Sequence, residues 1–150
     1  MDRRCIPFKI EHARYIIEQE HKRDQEEWIE KPEFEQWAEA WKDHLWAYTV
    51  TVDGIPVACA GVALQEWHKA EAWAIFSSDF KAHKLFIYRF IKAGITESFR
   101  EHKLVRLQST IDPQFPENIK WIETLGFEYE GRLRNYGPQG QDYLMYSRIK

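Results

Sequence analysis

The sequence predicts an α/β protein (α+β, mixed sheet): one mostly antiparallel sheet of six to seven strands, helices on both faces, and one central parallel βαβ unit. Three observations lead there. Segments that alternate apolar and polar residues are interspersed with segments of helical periodicity. Their order is β, α, α, β, β, β, α, β, α, β, β, which a single sheet flanked by helices accommodates. The third is a strand (Ala70–Phe76), a long helix (Lys84–Glu101) and a strand (Leu104–Ile111) in succession. A crossover of that length joins parallel strands. The 150 residues are expected to form one domain, 1–150, with a sizeable core.

Cys5–Ile10 reads as the first strand and His12–His21 as a helix, with Ala13, Ile16 and Ile17 on one face. Lys22–Glu30 is charged. Pro32 suits a first helical turn, where its missing N–H is not needed, and it opens a helix Glu33–His44 with Phe34, Trp37, Ala38 and Trp41 on one face. Trp46–Val52 alternates as a strand. Asp53-Gly54 is a two-residue hairpin turn, and Ile55–Gln65 returns with the small residues Ala58, Ala60, Gly61 and Ala63. Gly61 marks a bulge or the close approach of a neighbour. After a turn near Trp67-His68-Lys69 comes the strand Ala70–Phe76, then a polar loop, Ser77–His83. Ile87, Ile91, Ile95 and Phe99 recur in steps of four along the helix Lys84–Glu101.

Pro116 opens a short helix with Ile119, Ile122 and Leu125 as its stripe and Trp121 beside them; Gly126 follows as a left-handed stop. Phe127, Tyr129 and Leu133 begin a strand. Gly137-Pro138-Gln139-Gly140 supplies turn chemistry, and Tyr143, Met145 and Ser147 alternate in the last strand.

Composition excludes several classes. Apolar residues make up 44% and charged residues 30%, with seven Trp, nine Phe and seven Tyr to bury, which argues against disorder. A net charge of −3 gives no footprint for nucleic acid. No apolar run reaches membrane-spanning length, and the first residues lack a signal-peptide core. Two cysteines, Cys5 and Cys59, form neither a disulfide framework nor a zinc cluster, and the six histidines show no metal-ligand spacing. A reduced, cytoplasmic setting is expected, with no metal. Oligomeric state is not legible. Lys81–Lys84 forms a local basic cluster at a helix start, where unpaired N–H groups favour an anion.

The segment LGFEYEGRLR (125–134) with its preceding helix and closing strand resembles the C-terminal end of the GNAT superfamily of N-acetyltransferases. It is most similar to the branch that acetylates protein N-termini and small amines, and to shorter phage-encoded relatives. The element order is also that of the GNAT fold. The resemblance implies acetyl-CoA as donor, bound along the fourth strand at Ala74, Ile75 and Phe76, with its pyrophosphate at the following helix start. There the family carries Arg/Gln-x-x-Gly-x-Gly/Ala; this chain has Lys81 at the first position and Lys84 and Phe86 at the two small-residue positions. Ser77, Lys81, His83 and Lys84 are the residues left to hold an anion, and Asp79 adds opposing charge. Phe115 stands where many members have the asparagine that holds the pantetheine arm, with Asn118 a substitute three residues on or a polar helix-start residue. Ile122 stands where many have the tyrosine that protonates the leaving thiolate, which moves that role to Tyr88, Tyr129 or Tyr136.

Amine acetylation needs a group that takes the amine's proton. Glu71 is at the family-like position for this base, and His68 is the next candidate. Read from the residues alone, Glu71 is a solvent-facing strand-edge carboxylate and His68 a turn residue. The resemblance makes Trp37 and Trp41 lining residues of an acceptor groove; by periodicity alone they are core. The expected partner is an amine substrate or a protein. Two functions follow: an acetyl-CoA-dependent N-acetyltransferase, or a catalytically inactive GNAT-fold binding or structural protein. A phage origin would put the latter in the host cytoplasm or the virion. Whether Phe86 points into the cleft separates them.

Overall fold

The computed structural model describes residues 1–20 and 44–150. Seven strands among them form one sheet: β1 (Arg3–Pro7), β2 (His44–Val52), β3 (Ile55–Glu66), β4 (Lys69–Phe76), β5 (Arg106–Ile111), β6 (Glu128–Leu133) and β7 (Tyr143–Ile149). Their spatial order is β1-β2-β3-β4-β5-β7-β6. Each neighbouring pair is antiparallel except β4 and β5. The helices are α1 (Ile10–Glu20), α2 (Lys84–Glu101) and α3 (Pro116–Thr124). The expected mixed sheet with one parallel βαβ unit is therefore present. The helix expected at Glu33–His44, with Trp37 and Trp41, lies outside the described residues, except that His44 opens β2.

Alternation along the strands sends successive side chains to opposite faces. On one face Val50, Ala58, Ala60, Val62, Ala70 and Leu107 pack beneath Ile87, Ile91 and Ile95 of α2 and Ile122 of α3. On the other, Cys59 and Ile75 pack beneath Ala13, Ile16 and Ile17 of α1. The small residues of β3 serve this arrangement by keeping both helices close to the sheet. Asp53 and Gly54 have φ of 50° and 82°, the left-handed pair that a tight hairpin needs.

Some boundaries differ from expectation; β5, for instance, starts at Arg106 rather than Leu104. The first strand ends at Pro7, and α1 begins at Ile10, because the Lys9 N–H donates to His12 Nδ1 (3.2 Å) and His12 bonds Thr49 Oγ1 (2.7 Å), which caps the helix early. The segment expected as a polar loop is a 3-10 turn, Ser78–His83, that runs straight into α2. Ser77 caps it by accepting the Asp79 N–H (3.2 Å).

Gly94 of α2 sits against the indole of Trp46, and a β-carbon there would overlap the ring. Trp46 is itself part of the core. Alanine would gain at most about 1 kcal/mol of helix propensity, against an overpacking penalty of about 1–3 kcal/mol. Gly94→Ala is thus expected to lower thermal stability by a few degrees, measured by calorimetry, rather than raise it.

Candidate active site

The sheet opens between its two parallel strands. β4 and β5 are in register only from Lys69↔Arg106 to Glu71↔Gln108. Beyond that the backbone ladder stops, and Ser109 Oγ donates to the Ala72 carbonyl (3.0 Å) across the parting. The Ser77 N–H donates to Val57 O on β3 (2.9 Å). With the two-residue period, odd-numbered residues at this end of β4 turn their backbone to β3, and Ala72, Ala74 and Phe76 turn theirs to the gap. Ala74 is exposed there. Of the three residues expected to align a donor, Ala74 and Phe76 present backbone to the gap. The Ile75 backbone faces β3, and its side chain is buried under α1.

A pocket of about 530 Å³ lies beyond the end of β4, between the start of α2 and α3. Lys81, Lys84 and Lys120 line it together with Leu85, Tyr88 and Trp121, and its lining carries no carboxylate. Its Trp121 packs edge-on against Phe76 and Phe80, with ring centroids in this trio 4.4–5.4 Å apart. Lys81 and Lys84, expected at an anion site, are both here. Lys120 and Trp121 were not singled out as site residues. Their only sequence signal is the short helix they share, and nothing local ties α3 to the Lys81–Lys84 cluster.

His83 and Asp79 turn elsewhere. His83 is buried, and its Nδ1 accepts from Arg3 Nε (3.0 Å). Both residues line a separate, smaller pocket with Asp53 and Ile55. His83 and Asp79 thus lie outside the lysine pocket, and the His83 ring is engaged by β1. Ser77 Oγ accepts in the cap described above, and the residue does not line the pocket. Phe86 does not enter the lysine pocket: it is half-buried, packs on the core, and lies under the Arg3 guanidinium, 5.7 Å from the ring centre. Asn118 is half-buried near the start of α3, where its N–H bonds Phe115 O (2.9 Å), and it does not line the pocket. Phe115 is exposed and Ile122 is core.

Glu71 projects from the opposite face of β4, the side of α1, in line with Trp73 and Ile75. It is half-buried, and burial pushes its carboxyl above the usual carboxylate range. Gln65 Nε2 donates to it (2.7 Å), and no cation pairs with it among the described residues. Trp73 lies over Gly61, where a β-carbon would come within 2.5 Å of its Nε1, and that Nε1–H donates to His44 Nε2 (2.7 Å). Gly61 thus admits a neighbouring side chain. By contrast, Glu130 is neutralised: Arg106 grips both its oxygens (2.6 and 2.9 Å), Ser147 donates to it, and its pKa falls to about 2.

The remaining candidates sort by environment. His68 sits in the β3–β4 turn against Trp67, and its carbonyl anchors Val105 and Arg106. Cys59 is fully buried, and burial pushes its thiol up to about 12, so it is no nucleophile at neutral pH. The Tyr88 hydroxyl donates to Thr124 O (3.3 Å) at the pocket wall; Tyr129 and Tyr136 are exposed. Among the described residues no group of His, Cys, Asp or Glu is placed to hold a metal ion. No described helix is long and apolar enough to cross a membrane.

No family profile and no curated protein matches the sequence. Solved structures do match in three dimensions. Ard1 from Thermoplasma volcanium superposes with a TM-score of 0.77 at 15% identity, over 99% of this chain and 98% of that one. A GNAT-family acetyltransferase from Bacillus anthracis gives 0.71 at 17% identity, over 99% and 95%. Spermidine N-acetyltransferase from Vibrio cholerae, in complex with CoA and spermine, gives 0.69 at 17% identity, over 98% and 95%. Sheet order, the single parallel pair, the parting of β4 from β5 and these superpositions converge: the chain has the GNAT acetyltransferase fold.

Proposed function

We propose that the protein is an acetyl-CoA-dependent N-acetyltransferase acting on an amine of a protein or small molecule. The observation that carries this is the opening of the sheet at Ala72, with a three-lysine pocket at its outer end and a half-buried carboxylate on its other face. The donor set fits the cofactor. Lys81, Lys84 and Lys120 suit phosphates, and Trp121 and Tyr88 suit a flat ring. Phe86, the bulky replacement at a glycine position, is turned aside. Asn118 has no part in this set.

Bound acetyl-CoA would supply an acetyl thioester open to attack by an amine. The chain's residues do the rest. The Ala74 N–H, left without a strand partner by the parting, orients and polarises the acyl carbonyl. Glu71 takes the proton of the incoming amine, and its raised pKa suits a base working nearer neutrality. The amine reaches Glu71 from the α1 side, past Trp73. Solved structures with this fold include a spermidine N-acetyltransferase and a ribosomal-protein-S5-alanine acetyltransferase, both acting on amines. A cytoplasmic setting suits a CoA-dependent enzyme.

Thiol release from acetyl-CoA, followed with spermidine and with short peptides bearing free N-termini, tests the reading. Turnover saturable in acetyl-CoA is expected; no thiol above the uncatalysed rate with any acceptor contradicts it and favours the non-catalytic binding role. That second role draws on Ile122, which places a core side chain where an acid would stand.

A further inference from the structure

The hydroxyl of Ser109 is the last link between β4 and β5 before the sheet opens. The backbone register ends with Glu71↔Gln108, so the next position would set Ala72 against Ser109. No backbone ladder continues there; instead Ser109 Oγ reaches across to Ala72 O at 3.0 Å. Ser109 is 7% exposed, and its own register partner on the far side is Tyr146 of β7. Its position is therefore set by β7 while its hydroxyl holds β4. A side-chain hydroxyl spans more distance than a backbone N–H, so the two strands are already apart at Ala72.

We infer that Ser109 is a positioning residue for acetyl transfer: it fixes the apex of the opening at Ala72, and so makes the Ala74 N–H the first backbone donor available to the acyl carbonyl. This rests on the acetyl-CoA reading above. Without the hydroxyl the Ala72 carbonyl is released, and the apex is free to slide along β4. Residues alternate along the strand, so a slide of the donor position presents Ala72 or Phe76 in place of Ala74. The lysine pocket is built from α2 and α3 and does not depend on this bond. Loss of Ser109 should therefore spare affinity while disturbing the carbonyl.

Infrared difference spectra of acetyl-CoA carrying a ¹³C carbonyl label, bound to the full chain, read the polarisation directly; calorimetric titration reads affinity. The variants are Ser109→Cys, which keeps the size but donates weakly, and Ser109→Thr, which keeps the hydroxyl. The wild type is expected to lower the carbonyl frequency, Ser109→Thr to retain the shift, and Ser109→Cys to lose most of it with an affinity within about threefold of wild type. A carbonyl shift in Ser109→Cys equal to that of the wild type overturns the positioning role and leaves the acetyl-CoA reading standing. Absence of acetyl-CoA binding by the wild type overturns both.

Discussion

Replacing Glu71 with glutamine is expected to lower kcat/KM for amine acetylation about a hundredfold or more, the scale of a lost general base. The fold should gain stability in the same variant. Burial raises the Glu71 carboxyl, so the folded protein favours the protonated form more than the unfolded chain does. The stability tied to that form is fully present below the unfolded carboxylate pKa and is lost as pH rises through the folded value. Glutamine cannot ionise, and its amide oxygen still accepts the Gln65 bond. Glu71→Gln should therefore match the wild type in acid and exceed it at neutral pH in thermal melts. The wild-type rate should carry an acid limb above the ordinary carboxylate range, absent from the variant. A side chain kept only for the fold would not combine lost activity with gained stability; equal activity in Glu71→Gln would remove it from the base role.

The second large effect lies in the lysine pocket. Lys81 and Lys84 enter from the 3-10 turn and the first turn of α2, and Lys120 from α3. Each is solvent-exposed and individually modest against a phosphate, roughly 0.5–1 kcal/mol. Reversal to glutamate both removes attraction and adds repulsion, so Lys81→Glu, Lys84→Glu and Lys120→Glu together should weaken acetyl-CoA about a hundredfold. The wild-type affinity should fall with rising salt, and the triple variant should respond little.

How much of this was readable in sequence depended on distance along the chain. The Asp53-Gly54 hairpin, the long helix with its isoleucines, and the Pro116–Ile149 run of helix, stop and two strands are set by neighbours a few residues apart, and their patterns show it. Glu71 was a candidate by position, but its burial arises from a setting between β3 and β5, paired with Ala63 and Gln108, that no local pattern reports. The pocket was half visible. Lys81 and Lys84 stand three residues apart in sequence, whereas Lys120 and Trp121 join them only because α3 folds back beside α2. His83 looked like part of the same basic cluster. Its actual partner, Arg3, is eighty residues away on an edge strand, and no local pattern reports it. The 3-10 turn at Ser78–His83 escaped for a related reason: its polar composition reads as loop, while the Ser77 cap and the continuing helix hold it in turns.

The central claim is that the opening of the sheet and the lysine pocket form one acetyl-CoA site. Isothermal titration of the full chain with acetyl-CoA tests it most directly. The account predicts saturable one-to-one binding that weakens with salt and falls about a hundredfold in the triple lysine-to-glutamate variant. No heat of binding at millimolar acetyl-CoA, or undiminished binding by that variant, would contradict it.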